Sequence, residues 1–148
     1  MTGVRAIGSA FGFSPACREF NASGTFAARD FVKDDGSTGE ITVATATHKI
    51  LGVANEAGTS SSTDVQVNVT PYLMVLMDND NEATTFAATH VNEWADFIGA
   101  TGAMYVDSSS HSTTVAQLLC LAYNPQGYGL DSDTSIGKYM VEEQYMKT

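Results

Sequence analysis

Basic residues are what this chain has least of. Seven Lys and Arg stand against 17 Asp and Glu in 148 residues, a formal charge of −10. Nucleic-acid affinity comes largely from cation–phosphate contacts, so a polyanionic partner is not expected, nor is docking on an anionic membrane. Cysteine is nearly absent too. Cys17 and Cys120 are too few for the disulfide framework of a small secreted domain. Both are expected as free thiols, with Cys120 a core residue inside the apolar run 118–121. Long hydrophobic runs are missing: the longest, 72–77, is far short of the roughly 20 residues a membrane-spanning helix needs. The N-terminus shows no basic stretch leading into a long apolar one, so no signal peptide is expected. These absences together predict a soluble protein made in a cytoplasm.

Arrangements that carry chemistry are also lacking. His48, His90 and His111 fall in different segments, and none belongs to a His-x-His or His-Glu-x-x-His pair. The nearest approaches to a serine nucleophile elbow, around Ser9 and within 36–39, neither follow a strand nor open a helix. No glycine-rich phosphate loop is present, and no spacing singles out a carboxylate pair for glycoside chemistry. Asp78-Asn-Asp-Asn-Glu82 begins like a calcium loop, but Ala83 stands at its sixth position and Thr89 at its twelfth, where Gly and Glu belong. An exposed acidic hairpin loop is the reading there. The expectation is a protein that is not an enzyme and holds no cofactor or metal. Trp94, Tyr72, Tyr123 and Tyr128 suggest core or edge packing before a sugar platform or an interface hot spot.

What the chain does have is strand pattern. Residues 26–33 read as a strand, and Asp34-Asp-Gly-Ser-Thr-Gly39 as a turn in which Asp-Gly supplies positive φ cheaply. Residues 40–45 alternate, with Ile41 and Val43 on one face, and 49–54 form a further strand. After a polar Gly/Ser/Thr loop, Val65, Val67 and Val69 alternate with Gln66, Asn68 and Thr70, as in a half-buried antiparallel strand. Residues 72–77 read as buried on both faces, and 104–107, 115–123 and 138–143 as later strands. Asn92 as N-cap with Glu93 behind it predicts one short helical turn over 92–98, ended by Gly99 and Gly102. The fold predicted is all-β, a small antiparallel β-barrel or sandwich with at most one short helix, over residues 26–148.

Residues 1–25 are rich in Gly, Ala and Ser, carry isolated aromatics at Phe11, Phe13 and Phe20, and hold no period. They read as an extended N-terminal arm that orders on a partner, with those three side chains as its contacts.

The order of pieces over residues 32–70 resembles the head decoration, or cement, proteins of tailed bacteriophages, small β-barrel virion proteins. The matching pieces are the Gly-led strand 40–43, the link Ala44-Thr-Ala-Thr47, the strand Ile50-Leu-Gly-Val53, and the alternating strand 65–69. The resemblance implies a structural protein of the virion. It would sit on the outer surface of the icosahedral capsid and bridge neighbouring major capsid protein subunits. A homo-oligomer is implied with it, a trimer before a dimer. The alternative is a ligand-binding β-domain, a carbohydrate-binding or adhesin-like module, with or without calcium at 78–82.

Overall fold

The computed structural model describes residues 3–36, 38–46, 48–80 and 86–142. Among these, two five-stranded antiparallel sheets and a hairpin form a small β-sandwich, and neither sheet closes into a barrel. The first sheet runs β1 (Arg5–Ser9), β7 (Leu73–Asp78), β12 (Ile136–Val141), β11 (Leu118–Tyr123), β8 (Trp94–Ala95). The second runs β2 (Cys17–Phe20), β6 (Val65–Asn68), β5 (Gly52–Ala54), β3 (Phe31–Asp34), β4 (Ile41–Val43). The hairpin joins β9 (Phe97–Ala100) to β10 (Ala103–Val106).

The second sheet follows from its sequence. Asp34 Oδ1 accepts the Gly36 N–H at 2.7 Å, and Asp35 accepts both the N–H and the hydroxyl of Thr38 at 3.1 and 2.6 Å. That closes the β3–β4 turn and sets Val32 against Val43. Period two then divides the side chains between two cores. Phe31 and Val53 point into the cluster between the sheets, with Val75, Leu118, Tyr139 and Val141 of the first sheet. Val32, Ala54, Val65, Val67 and Val69 point the other way, into a second cluster closed by Ala22 and Phe26. The sheet is therefore buried on both faces. Gly52 marks how tightly β5 meets β6: a Cβ there would fall 2.1 Å from the Asn68 carbonyl oxygen.

Buried polar groups tie the layers together. Gln117 Nε2 donates to the carbonyls of Thr45 and His48 at 3.2 and 2.7 Å, and its Oε1 accepts from Phe97 N–H at 3.4 Å. One buried amide thus ties together three backbone groups from separate segments. The Asp30 carboxylate accepts the N–H groups of Ala27 and Gly102, pinning the β9–β10 turn to the second sheet. Burial holds its pKa above the ordinary carboxylate value, against those backbone donors. Cys17 is an exposed free thiol and Cys120 a buried one, whose burial pushes its pKa up to about 11.

Two expectations are corrected. Of the arm expected over 1–25, the described residues 3–25 do not stand apart: β1 pairs with β7 at one edge of the first sheet, and β2 with β6 at one edge of the second. Their strands are short, and a bulge between Ala6 and Gly8 breaks the period that would have shown them. Nor do residues 92–98 form a helical turn. Asn92 has φ +72°, a left-handed conformation, so it cannot serve as the extended N-cap of a helix. The chain goes straight into β8 and β9, and among the described residues the helical turns are 3-10, at Ala88–His90 and Ser108–Ser110.

Candidate functional site at an aromatic corner

The chain crosses between the two sheets twice at one corner. Residues 10–16 carry it from β1 to β2, and residues 69–72 carry it from β6 to β7. Because β1 lies beside β7 and β2 beside β6, the two crossings run side by side. They are stapled together. Ala10 N–H donates to Tyr72 O at 2.9 Å, Val69 N–H to Ala16 O at 2.8 Å, and Ala16 N–H to the Thr70 hydroxyl at 3.0 Å. The Ser9 hydroxyl donates to Pro71 O at 2.8 Å. Asn68 Oδ1 holds the bend itself, accepting the N–H and hydroxyl of Thr70 at 3.1 and 2.6 Å.

This backing presents Phe11 and Phe13 to solvent, packed on a half-buried Tyr72. Tyr72 has φ +53°, rare for a bulky side chain and held here by the bonds on both sides. Phe11 meets it edge-on with ring centroids 4.6 Å apart, and Phe13 stacks on it at 5.7 Å. Phe11 is 66% and Phe13 49% exposed, the most exposed aromatic side chains among the described residues. Scattered surface apolar groups need no explanation, whereas aromatic rings gathered on a rigid backbone form the kind of anchor that dominates binding energy. Since the rings are already ordered against one another, a partner would spend little entropy fixing them.

Of the three residues expected to make contacts, the structure brings Phe11 and Phe13 together and leaves Phe20 elsewhere. Phe20 packs against the second core, under the Arg18 guanidinium 5.8 Å from its ring. Tyr72, the third member, was named in the sequence among the aromatics read as core or edge packing before an interface hot spot, and was not joined to Phe11 and Phe13.

The other candidate features are placed as follows. His90 and His111 come together, ring centroids 4.3 Å apart and nearly parallel, while His48 caps its own turn through Thr45. Phe86 stacks on both histidines and meets Tyr123 and Tyr139. Trp94 lies in β8 opposite Leu119, and Tyr128 in the loop after β11, where its carbonyl accepts from Arg5. The acidic loop at 78–82 falls partly outside the described residues. Of its described members, Asp78 accepts the Ser135 hydroxyl at 2.6 Å and Asp80 the Ser108 N–H at 2.8 Å. Asn79 is spoken for by Ser135 and Tyr139. Among the described residues no three His, Cys, Asp or Glu side chains are grouped to hold a metal ion. A cavity of about 570 Å³ opens beside this loop, lined by Asp78, Asn79, Asp80, Phe86, Tyr105 and Ser135 among others.

No protein-family model matches the chain, and no curated protein or solved structure matches it.

Proposed function

We propose that this chain is a structural virion protein that binds the outer surface of an icosahedral phage capsid and steadies it by bridging neighbouring major capsid protein subunits. The observation that carries the reading is the corner: Phe11 and Phe13, exposed and stacked on Tyr72, over two crossings bonded to each other. Such a corner binds by shape and apolar contact and does no chemistry. The order of strands over residues 32–70, which resembles that of decoration proteins, supports the same reading.

A capsid offers the same contact many times, so a modest anchor suffices once copies of the chain are linked. Avidity multiplies individually weak contacts when the geometry allows simultaneous engagement. A homo-oligomer, a trimer in the first instance, therefore belongs to the proposal. The protein would act on the finished particle after synthesis in the host cytoplasm.

Co-sedimentation with expanded capsids lacking this protein tests the proposal. Saturable binding at a fixed number of copies per shell, matching a class of symmetry site, is the expected result. A folded protein that stays in the supernatant overturns it.

A second reading, a ligand-binding β-domain, is favoured by the cavity, where carboxylates and hydroxyls face Phe86 and Tyr105. It expects a rise in melting temperature with calcium or with a glycan, because a ligand that binds only the folded state stabilises it. An unchanged melting temperature in both screens removes it.

A further inference from the structure

A buried chain of hydrogen bonds runs from one helical turn to the cavity wall, and it is one proton short. His111 Nδ1 lies 3.0 Å from the Ser108 carbonyl oxygen. A carbonyl can only accept, so Nδ1 carries a proton. His111 Nε2 lies 2.9 Å from the Tyr139 hydroxyl, which in turn lies 2.9 Å from Asn79 Oδ1. The Asn79 amide is oriented by its other end, where Nδ2 donates to Ser135 O at 3.1 Å. Oδ1 therefore faces Tyr139 as an acceptor. With a neutral imidazole, Nε2 is an acceptor as well. Tyr139 has a single hydroxyl proton. His111 Nε2 and Asn79 Oδ1 compete for it, with the Cys120 sulfur a weaker third partner. Tyr139 is fully buried, so no bulk water reaches its hydroxyl to settle the contest.

We propose that Tyr139 is a two-position hydroxyl switch: its O–H bonds His111 Nε2 while that imidazole is neutral, and turns to Asn79 Oδ1 when His111 takes up a proton from solvent. In the protonated state every group is paired. His111 donates to Ser108 O and to the Tyr139 oxygen, Tyr139 donates to Asn79, and Asn79 donates to Ser135 O. In the neutral state Asn79 Oδ1 is released. Asn79 lines the cavity, so the neutral state offers that wall one more hydrogen-bond acceptor, open to a hydroxyl or ammonium donor, and the protonated state withdraws it.

The groups around His111 set the pH at which this happens. His90, stacked on it, resists a second positive charge, while Glu93 and Asp107 favour one. Asp80 sits behind Ser108, whose N–H it accepts. Cys120 adjoins Tyr139 from β11, and both stay protonated because burial raises their pKa values. Burial holds the His111 value below that of a free imidazole. The switch therefore turns on the acidic side of the ordinary histidine range.

Nitrogen-15 NMR of the imidazole side chains across a pH titration of the whole chain reads the switch directly. At neutral pH, His111 is expected with its proton on Nδ1 and Nε2 as acceptor. Asn79→Ala removes the competing acceptor, so the neutral state becomes fully paired and the protonated one loses a bond. The His111 pKa then falls by about one unit, a tenfold loss of proton affinity. Admitting water to a merely structural site would move it upward instead. Should Asn79→Ala fail to fold, Tyr139→Phe keeps the ring and is expected to lower the same pKa, because His111 loses its charge-assisted partner. A pKa that is unchanged or raised in the variant that folds, or a neutral tautomer with the proton on Nε2, overturns the proposal.

Discussion

Two aromatic clusters in this molecule use the same ring types to opposite ends. At the corner, Phe11, Phe13 and Tyr72 pack together on a backbone whose hydrogen bonds are made among 9–16 and 68–72, and the two phenylalanines face outward. Around Phe86, the rings of His90, His111, Tyr123 and Tyr139 close on one another at the end of the first sheet. There Phe86 and Tyr139 are buried, and polar atoms thread the cluster as a hydrogen-bond chain. What separates the two is the location of the polar partners. At the corner the main chain satisfies itself and Phe11 and Phe13 stay exposed. In the inner cluster the ring substituents are the partners, so the rings cannot leave.

The comparison predicts where mutations will hurt. Phe86→Ala should have the largest effect on stability. Phe86 is 6% exposed and touches four other rings, and truncating a buried Phe costs about 3–5 kcal/mol. Urea unfolding measures this, and a cost near that of a surface change would mean the cluster is not core. Tyr139→Phe comes next. Whichever way the hydroxyl points, one buried acceptor loses its donor, at a cost of about 1–3 kcal/mol.

A smaller, pH-dependent effect follows from His111. Its folded pKa is lowered by burial, so between that value and the ordinary one the unfolded chain binds more protons. The stability His111 contributes is then present above the ordinary histidine value and lost as pH falls through the window toward the folded one. Measured as the difference in denaturant midpoint between the native chain and His111→Asn, the advantage of His111 should shrink on acidification. An advantage that grows in acid would reverse the sign of the shift. Asp30 should behave oppositely: its raised pKa makes its contribution greatest in acid and lost as pH rises through the folded value, seen against Asp30→Asn. The smallest effect on stability belongs to the corner. Phe11→Ala with Phe13→Ala should leave the unfolding midpoint nearly where it was, within about 0.5 kcal/mol, as for most exposed positions.

The second sheet was the most legible part of the sequence, because its signals are local. The Asp34-Asp-Gly36 turn and the alternation of Val65, Val67 and Val69 each need only a few neighbouring residues, and each was found where expected. The strands of 73–78 and 118–123 were legible from their apolar runs. The N-terminal strands were hidden by their shortness and by the bulge after Ala6. Asn92, a fair N-cap by residue type, was misread because its side chain says nothing of the positive φ that long-range pairing imposes. The candidate site was half legible. Phe11 and Phe13 stood out as aromatics in a small-residue stretch, but Tyr72 joins them only because two crossings meet at one corner. His90 and His111 carried no signal at all, since tertiary packing alone brings 3-10 turns from separate segments side by side.

The central claim is that the corner rings exist for a partner and not for the fold. Its most direct test sets native protein beside Phe11→Ala/Phe13→Ala in the capsid co-sedimentation assay, with thermal unfolding of both recorded in parallel. The account predicts matching melting curves and capsid occupancy that falls at least tenfold at subsaturating protein, the loss of more than about 1.4 kcal/mol of binding. Matching melting curves with undiminished occupancy would contradict it.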